Sequence, residues 1–117
     1  MFVAIKRLLR PYVQGGLIAR AESLVARIVP RIPPGATVVD IGCGAGYVTE
    51  SLRRHAFRVL PVDIDNHAIE GFWLIVADAR ALPLHPGRCN VALMVSMLHH
   101  CLDPDAVLAE AAASPRA

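Results

Sequence analysis

Carboxylates and glycines with a spacing that could serve a bound ligand are concentrated near the middle of the chain. Asp40 ends a short apolar run, and Gly42, Gly44 and Gly46 follow it at every second position. In an open α/β sheet, ligands bind at the carboxyl ends of strands, where glycine lets the backbone come close. An acid before the loop would repel a pyrophosphate but suits a ligand with an ammonium group. The spacing G-x-G-x-G also differs from the dinucleotide fingerprint G-x-G-x-x-G.

The stretch from Val38 to Glu50 resembles the first motif of class I S-adenosylmethionine-dependent methyltransferases, of the methyltransferase type 11-like kind. The resemblance implies that the loop holds the methionine end of S-adenosylmethionine, the expected cofactor. The alternative is a glycine-rich turn that binds no ligand. The residues we expect to bind the cofactor are Asp40, Gly42, Cys43, Gly44, Gly46, Asp63, Ile64, Asp78, Ala79 and Ser96.

Two further acids follow apolar runs that read as strands. Asp63 lies about twenty residues beyond the glycine loop, where an acid can accept hydrogen bonds from both ribose hydroxyls. A helix cap is the competing role, and we assign that role to Asp65 or Asn66 instead. The resemblance implies that Asp78 bonds the adenine amino group, although it could also cap the following turn.

The paired histidines His99 and His100 are the candidate catalytic residues, because a neutral imidazole can take a proton from a methyl acceptor near pH 7. The alternative is that one histidine packs locally and the other is solvated. A metal site would have to combine these histidines with Cys89 and Cys101, but this spacing matches no familiar zinc pattern. We therefore predict no metal. Cys43 could be reactive at a helix N-terminus, and we interpret it as a small packing residue near the cofactor.

Elements that could position these residues alternate between helix and strand. Pro11 and the pair Gly15-Gly16 are expected to break the N-terminal region into two helices. The predicted helices cover residues 2–9, 17–29, 47–55, 66–70 and 103–110, and the predicted strands cover residues 37–41, 57–63, 72–78 and 91–95.

The predicted fold is α/β, a Rossmann-like three-layer sandwich. The resemblance implies a partial, mostly parallel sheet with strand order 3-2-1-4, without the final strands of the family. We divide the chain into an N-terminal helical segment, residues 1–34, and a partial cofactor-binding domain, residues 35–117. The predicted fourth strand would then be an apolar edge strand, which favours self-association. We interpret the chain as a truncated methyltransferase, and the alternatives are a chain that pairs with another chain or a compact minimal domain.

The composition and charge of the chain limit the kinds of partner that we expect it to bind. Hydrophobic residues make up 55% of the 117 residues, the net charge is +2, and no basic run indicates nucleic acid. No apolar run is long enough for stable membrane insertion. Three cysteines without C-x-x-C spacing suit a reducing compartment, so we predict a cytoplasmic protein. We expect a methyltransferase acting on a small molecule. The alternative is a catalytically silent cofactor-binding or interaction module.

Overall fold

The structure is a computed structural model that describes residues 2–66, 71–85, 87–95 and 101–113. The predicted helix over 66–70 therefore lies almost entirely outside the described residues. The elements are α1 (Phe2–Ile28), a 3-10 turn (Val29–Arg31), β1 (Thr37–Ile41), α2 (Tyr47–Arg54), β2 (Arg58–Asp63), β3 (Ile75–Val76), β4 (Val91–Met94) and α3 (Pro104–Ala113).

The four strands form one sheet in the order β3-β2-β1-β4, and every pair is parallel. This order confirms the predicted strand order 3-2-1-4. Val38 in β1 lies opposite Val59 in β2 on one side and Val91 in β4 on the other. The carboxyl ends of the strands consequently meet along one edge of the sheet, as they do in ligand-binding α/β proteins.

Side chains of β1 alternate between two apolar cores because successive residues of a strand point to opposite faces. Val38 packs in one core with Val25 of α1 and Leu52 of α2. Ile41 belongs to the second core, which includes Ala111 of α3. Helices thus cover both faces of the sheet, which confirms the predicted Rossmann-like three-layer arrangement.

The N-terminal region forms one continuous helix, so the prediction of two helices separated by a break was wrong. Glycine costs about 1 kcal/mol in a helix relative to alanine but can adopt helical angles, and the fixed φ of proline is also close to helical. Burial of Ala21 and Val25 stabilises the second half of α1 and outweighs these local preferences. No helix in the described part of the chain has the length and hydropathy needed to cross a membrane.

Strand β3 covers only Ile75–Val76, whereas the sequence predicts a strand over residues 72–78. The carbonyl of Val62 accepts hydrogen bonds from the glycine loop on the β1 side. Because hydrogen-bonding groups alternate along a strand, Pro61 turns its nitrogen toward the β3 side, where it cannot donate. Pairing with β3 accordingly begins opposite Val62.

Candidate functional site

A cavity of about 540 Å³ opens at the carboxyl ends of the strands. Residues at and after the ends of β1, β2 and β3 form one side of it, and residues 101–103 together with Val107 of α3 form the other. Pockets of roughly 300–1,000 Å³ are typical of small-molecule and cofactor sites. The fold therefore places a cavity of suitable size where the sequence predicts ligand binding.

The glycine loop is fastened to the end of β2 by three backbone donors. Gly42 and Cys43 donate their N–H groups to the carbonyl of Val62, at 2.7 and 3.0 Å. Gly44 donates its N–H to Oδ2 of Asp63, at 2.8 Å. Gly44 has a φ of +55°, a conformation that favours glycine. These contacts fix the loop beside the acid that the sequence analysis assigns to the ribose.

Asp63 lines the cavity at the end of β2, and both of its carboxylate oxygens already accept one backbone hydrogen bond. Oδ2 accepts from Gly44, and Oδ1 accepts from the N–H of Asp65 at 3.1 Å. Each carboxylate oxygen can accept about two hydrogen bonds, so both retain capacity for ligand hydroxyls. The two protein bonds orient the carboxylate without using up its capacity.

Asp40 is buried, with only 1% of its surface exposed, and it does not line the cavity. Asp40 shares the face of β1 that carries Val38, so it points toward α2, where Thr49 Oγ1 donates a hydrogen bond of 2.6 Å to its Oδ2. Burial raises the pKa of Asp40 to about 6, and the charge of Asp63 adds to this, whereas the Thr49 bond opposes it. Asp40 braces α2 behind the loop, and its contact with the ammonium group of a cofactor stays a prediction.

Thr49→Val should lower the free energy of unfolding by about 1–3 kcal/mol at pH 8, because the shape is kept while a buried carboxylate loses its donor. Thr49→Ser is the matched control, since it keeps the hydroxyl. Urea denaturation of both variants tests this. Equal stabilities for the valine and serine variants would show that the hydrogen bond does not matter.

Asp78 is held by Arg80, which also lines the cavity. Nη2 of Arg80 lies 2.7 Å from Oδ2 of Asp78, and Nε lies 3.1 and 3.2 Å from the two carboxylate oxygens. The Arg80 N–H also donates to Oδ1, at 2.8 Å. The side-chain bond from Arg80 is the main reason that the pKa of Asp78 falls to about 2. Asp78 is thus ionised at neutral pH, and Arg80 competes for the oxygens that an adenine amino group would use.

Cys43 is a neutral thiol at physiological pH. Burial raises its pKa to about 12, and the negative charges of Asp40 and Asp63 add to the effect. Because the thiolate is the nucleophilic form, this environment disfavours reactivity. The geometry agrees with our interpretation of Cys43 as a small packing residue.

The structure brings six of the predicted cofactor residues to the cavity. These are Gly42, Gly44, Asp63, Ile64, Asp78 and Ala79. Asp40, Cys43 and Gly46 lie in or behind the loop without lining the cavity. Ser96, His99 and His100 lie outside the described residues, so their roles stay predictions. Within the described ranges, no cluster of three or more potential metal ligands occurs.

Sequence reasoning missed three charged residues of the cavity wall, namely Asp65, Arg80 and Asp103, and Asp65 was assigned only to a helix cap. Arg80 follows Asp78 by two positions, and the tendency of aspartate to bond the backbone two residues on could have revealed their contact. Asp103 was assigned only to the start of a helix, and its Oδ1 does accept the N–H of Ala106, at 3.1 Å. No local signal could show that this helix start faces the cavity, because Asp103 is forty residues from Asp63 in the chain.

Comparison with known proteins identifies methyltransferases as relatives of this chain. A family model described as a methyltransferase domain matches residues 13–115. A ubiquinone biosynthesis O-methyltransferase from Cupriavidus pinatubonensis is 33% identical over 87 residues, which cover 63% of this chain and 34% of that protein. The chain thus spans about a third of the length of the curated relatives it matches.

Solved structures share the fold. A S-adenosylmethionine-dependent methyltransferase from Thermotoga maritima has a TM-score of 0.68 and 24% identity, over 99% of this chain and 57% of that one. Magnesium protoporphyrin IX methyltransferase from Synechocystis, solved with bound S-adenosylmethionine, has a TM-score of 0.67 and 21% identity, over 88% and 56% of the two chains. With a family model that matches nearly the whole chain and a sheet in the order β3-β2-β1-β4, the chain belongs to the S-adenosylmethionine-dependent class I methyltransferase family.

Proposed function

We propose that this chain binds S-adenosylmethionine in the cavity at the ends of β1–β3 and takes part in methyl transfer to a small molecule. The observation that carries the proposal is the position of Asp63. Its carboxylate is oriented by the N–H groups of Gly44 and Asp65 and borders a cavity of about 540 Å³. A carboxylate at the end of the second strand is suited to accept hydrogen bonds from two neighbouring ribose hydroxyls.

The other wall residues fit the remaining parts of an adenosyl group. Ile64 follows Asp63 and is 63% exposed, so it offers an apolar surface to the flat adenine ring. The small side chain of Ala79 leaves room beside the ring. Asp78 provides acceptor oxygens for the adenine amino group, provided that Arg80 gives up one of its hydrogen bonds to this carboxylate. Polar acceptors and apolar surface therefore lie side by side in this cavity, as they do in cofactor sites.

The protein's part in such a reaction is to hold donor and acceptor in line. Bound S-adenosylmethionine supplies a methyl group on a positively charged sulfur, which is already reactive. Asp63 fixes the ribose, and the braced glycine loop fixes the position of the methionine end; positioning of this kind can supply most of the rate enhancement. If the acceptor is a hydroxyl, it must lose a proton, and we propose His99 or His100 as the base.

The acceptor that we propose is a hydroxyl group on a small molecule. The curated relatives named as ubiquinone biosynthesis O-methyltransferases support this choice of chemistry, although the chain spans about a third of their length. We further propose a cytoplasmic location, as the cysteine pattern favours a reducing compartment. β4 pairs only with β1 among the described strands, and we keep self-association through this edge as part of the proposal.

Asp63→Ala should weaken S-adenosylmethionine binding about tenfold or more, because two charge-assisted hydrogen bonds to the ribose are lost. Isothermal titration of the purified chain and the variant measures this directly. Asp105→Ala is the control, since it removes an exposed carboxylate on α3 that does not line the cavity.

Circular dichroism should accompany the titration, since Asp63 also fastens the loop. No binding by a folded, monodisperse wild-type chain would refute the proposal. Binding without methyl transfer to a panel of small phenols would favour the catalytically silent module. Equal loss of affinity in both variants would exclude Asp63 as a ribose ligand.

A further inference from the structure

The two cavity carboxylates Asp63 and Asp78 differ in how much of their hydrogen-bonding capacity is already used. Each oxygen of Asp63 accepts one backbone bond, whereas each oxygen of Asp78 accepts two bonds, all from Arg80. A carboxylate oxygen can accept about two hydrogen bonds, so Arg80 saturates Asp78. An adenine amino group can therefore bond to Asp78 only after a guanidinium donor has left it.

A second carboxylate, Asp103, stands where the displaced guanidinium could go. Asp103 precedes α3 and lines the same cavity as Arg80. The hydrogen bonds of Asp78 raise the pKa of the Arg80 guanidinium above its usual range, and the charge of Asp103 adds to this effect. Arg80 thus lies within electrostatic range of both carboxylates. Oδ1 of Asp103 accepts one bond, from the N–H of Ala106 at 3.1 Å, so the carboxylate retains capacity for a guanidinium donor.

The contact between Arg80 and Asp78 is of a kind that can be exchanged at little cost. The Arg80 side chain is 55% exposed and that of Asp78 is 37% exposed. Exposed ion pairs add little to stability, because water screens the charges and two long side chains must be held in one geometry. A move of the guanidinium to Asp103 replaces a contact within the loop after β3 by a contact between that loop and the start of α3.

We propose that Arg80 is a specificity-determining residue, which holds Asp78 in the structure described here and is transferred to Asp103 when the amino group of an adenine bonds to Asp78. The inference rests on the proposed function and adds to it a role for Arg80 and Asp103. The exchange makes the preference for an amino-bearing purine depend on two residues that need not touch the base.

The exchange has a defined thermodynamic consequence. Bonding of the amino group to Asp78 gains a charge-assisted hydrogen bond and loses one from the guanidinium, and the contact with Asp103 recovers part of that loss. Removal of Arg80 should thus strengthen binding of the amino group. Removal of the charge of Asp103 should weaken it, because the guanidinium then has less reason to leave Asp78.

Two ligands that differ in one group measure this consequence. They are S-adenosylhomocysteine and its 6-deamino analogue, in which hydrogen replaces the amino group of the purine. Contacts with the ribose and with the homocysteine part are common to both ligands. The ratio of their affinities, amino ligand over deamino ligand, therefore isolates the bond to the amino group.

The test is isothermal titration of both ligands into the wild-type chain, Arg80→Met, Asp103→Asn and the double variant. Methionine keeps an unbranched apolar stem without donors, and asparagine serves as an N-cap about as well as aspartate. Arg80→Met should raise the affinity ratio roughly two- to tenfold, and Asp103→Asn should lower it roughly two- to threefold. Once Arg80 is absent, Asp103→Asn should leave the ratio unchanged, which is the signature of coupling between the two residues.

Arg88→Met and Asp105→Asn are the matched controls, because both residues are exposed and neither lines the cavity. Their affinity ratios should equal that of the wild type. An unchanged ratio in Arg80→Met, or an equal effect of Asp103→Asn with and without Arg80, would overturn the inference while leaving cofactor binding intact. Binding of neither ligand by the folded wild-type chain would instead refute the proposed function, and this inference with it.

Discussion

Gly46→Ala is expected to lower the free energy of unfolding by about 3 kcal/mol, measured by urea denaturation, since two separate penalties coincide at this residue. Gly46 begins α2 with a φ of +99°, which side chains rarely adopt. A Cβ built on it would lie 2.8 Å from the ring of Phe72. Strain in the backbone and overpacking against the ring therefore add.

A methyl group at position 46 could be accommodated only if the ring of Phe72 moved. Its ring is half-buried and lies under the guanidinium of Arg53, 5.6 Å from the ring centroid. Arg53 is itself held by Glu50 and by the carbonyl of Val59, at 3.2 and 3.1 Å. Displacing the ring would disturb this set of contacts behind the glycine loop.

Gly35→Ala separates the two penalties. Gly35 also has a positive φ, +71°, but a Cβ there would meet nothing within 4 Å. We expect it to cost about 1 kcal/mol, from strain alone. Replacing Phe72 by leucine in the Gly46→Ala background should recover part of the loss if the ring is responsible. Equal costs at Gly35 and Gly46 would contradict the role of Phe72.

The features that were predicted from sequence are those with strong local signals. β1 is a short apolar run, and the glycine loop and Asp63 follow strands at fixed distances along the chain. The parallel order of the strands followed from a family resemblance carried by the same residues. Each of these signals spans only a few residues, so it depends little on how distant segments of the chain pack together.

The predictions that failed, or that missed a residue, depended on packing between distant segments. Gly15 and Gly16 act as breakers only where nothing else holds the helix, and α1 is held by Val25 in the core. The wall formed by Asp103 becomes apparent only when α3 docks. Its docking is supported by Glu110, which accepts the N–H of Leu82 at 2.9 Å across the second face.

The direction of Asp40 could have been inferred from alternation along β1. Val38 and Asp40 occupy the same face, and Val39 and Ile41 occupy the other, so an acid at position 40 points to the helix that covers Val38. The cavity lies beyond the strand ends, where Ile41 and not Asp40 contributes to the lining. The alternation of side chains along β1 thus indicates that Asp40 supports α2 and does not line the cavity.

The free energy of unfolding of Asp40→Asn, relative to that of the wild type, should rise by about 3 kcal/mol between about pH 4 and about pH 8. Burial raises the pKa of this carboxyl from 3.8 to about 6 in the folded chain. Below pH 3.8 it is protonated in both the folded and unfolded states, so it affects stability little. Between pH 3.8 and about 6, Asp40 is ionised in the unfolded chain but still protonated in the folded chain. Folding must then bind a proton to this carboxylate, and the free energy needed to do so increases with pH. Above pH 6 the whole penalty applies to aspartate but not to asparagine.

The difference in unfolding free energy between variant and wild type isolates this group from the other carboxylates. It should grow by up to about 1.4 kcal/mol per pH unit between pH 4 and 6 and then level off. Asparagine can still accept the Thr49 hydroxyl, so the brace behind the loop is retained. Asp105→Asn, at an exposed position, should give a difference that changes little with pH. A flat profile for Asp40→Asn would mean that Asp40 is ionised in the folded chain as readily as in the unfolded one. Burial of Asp40 behind the glycine loop is therefore expected to lower the free energy of unfolding above pH 6.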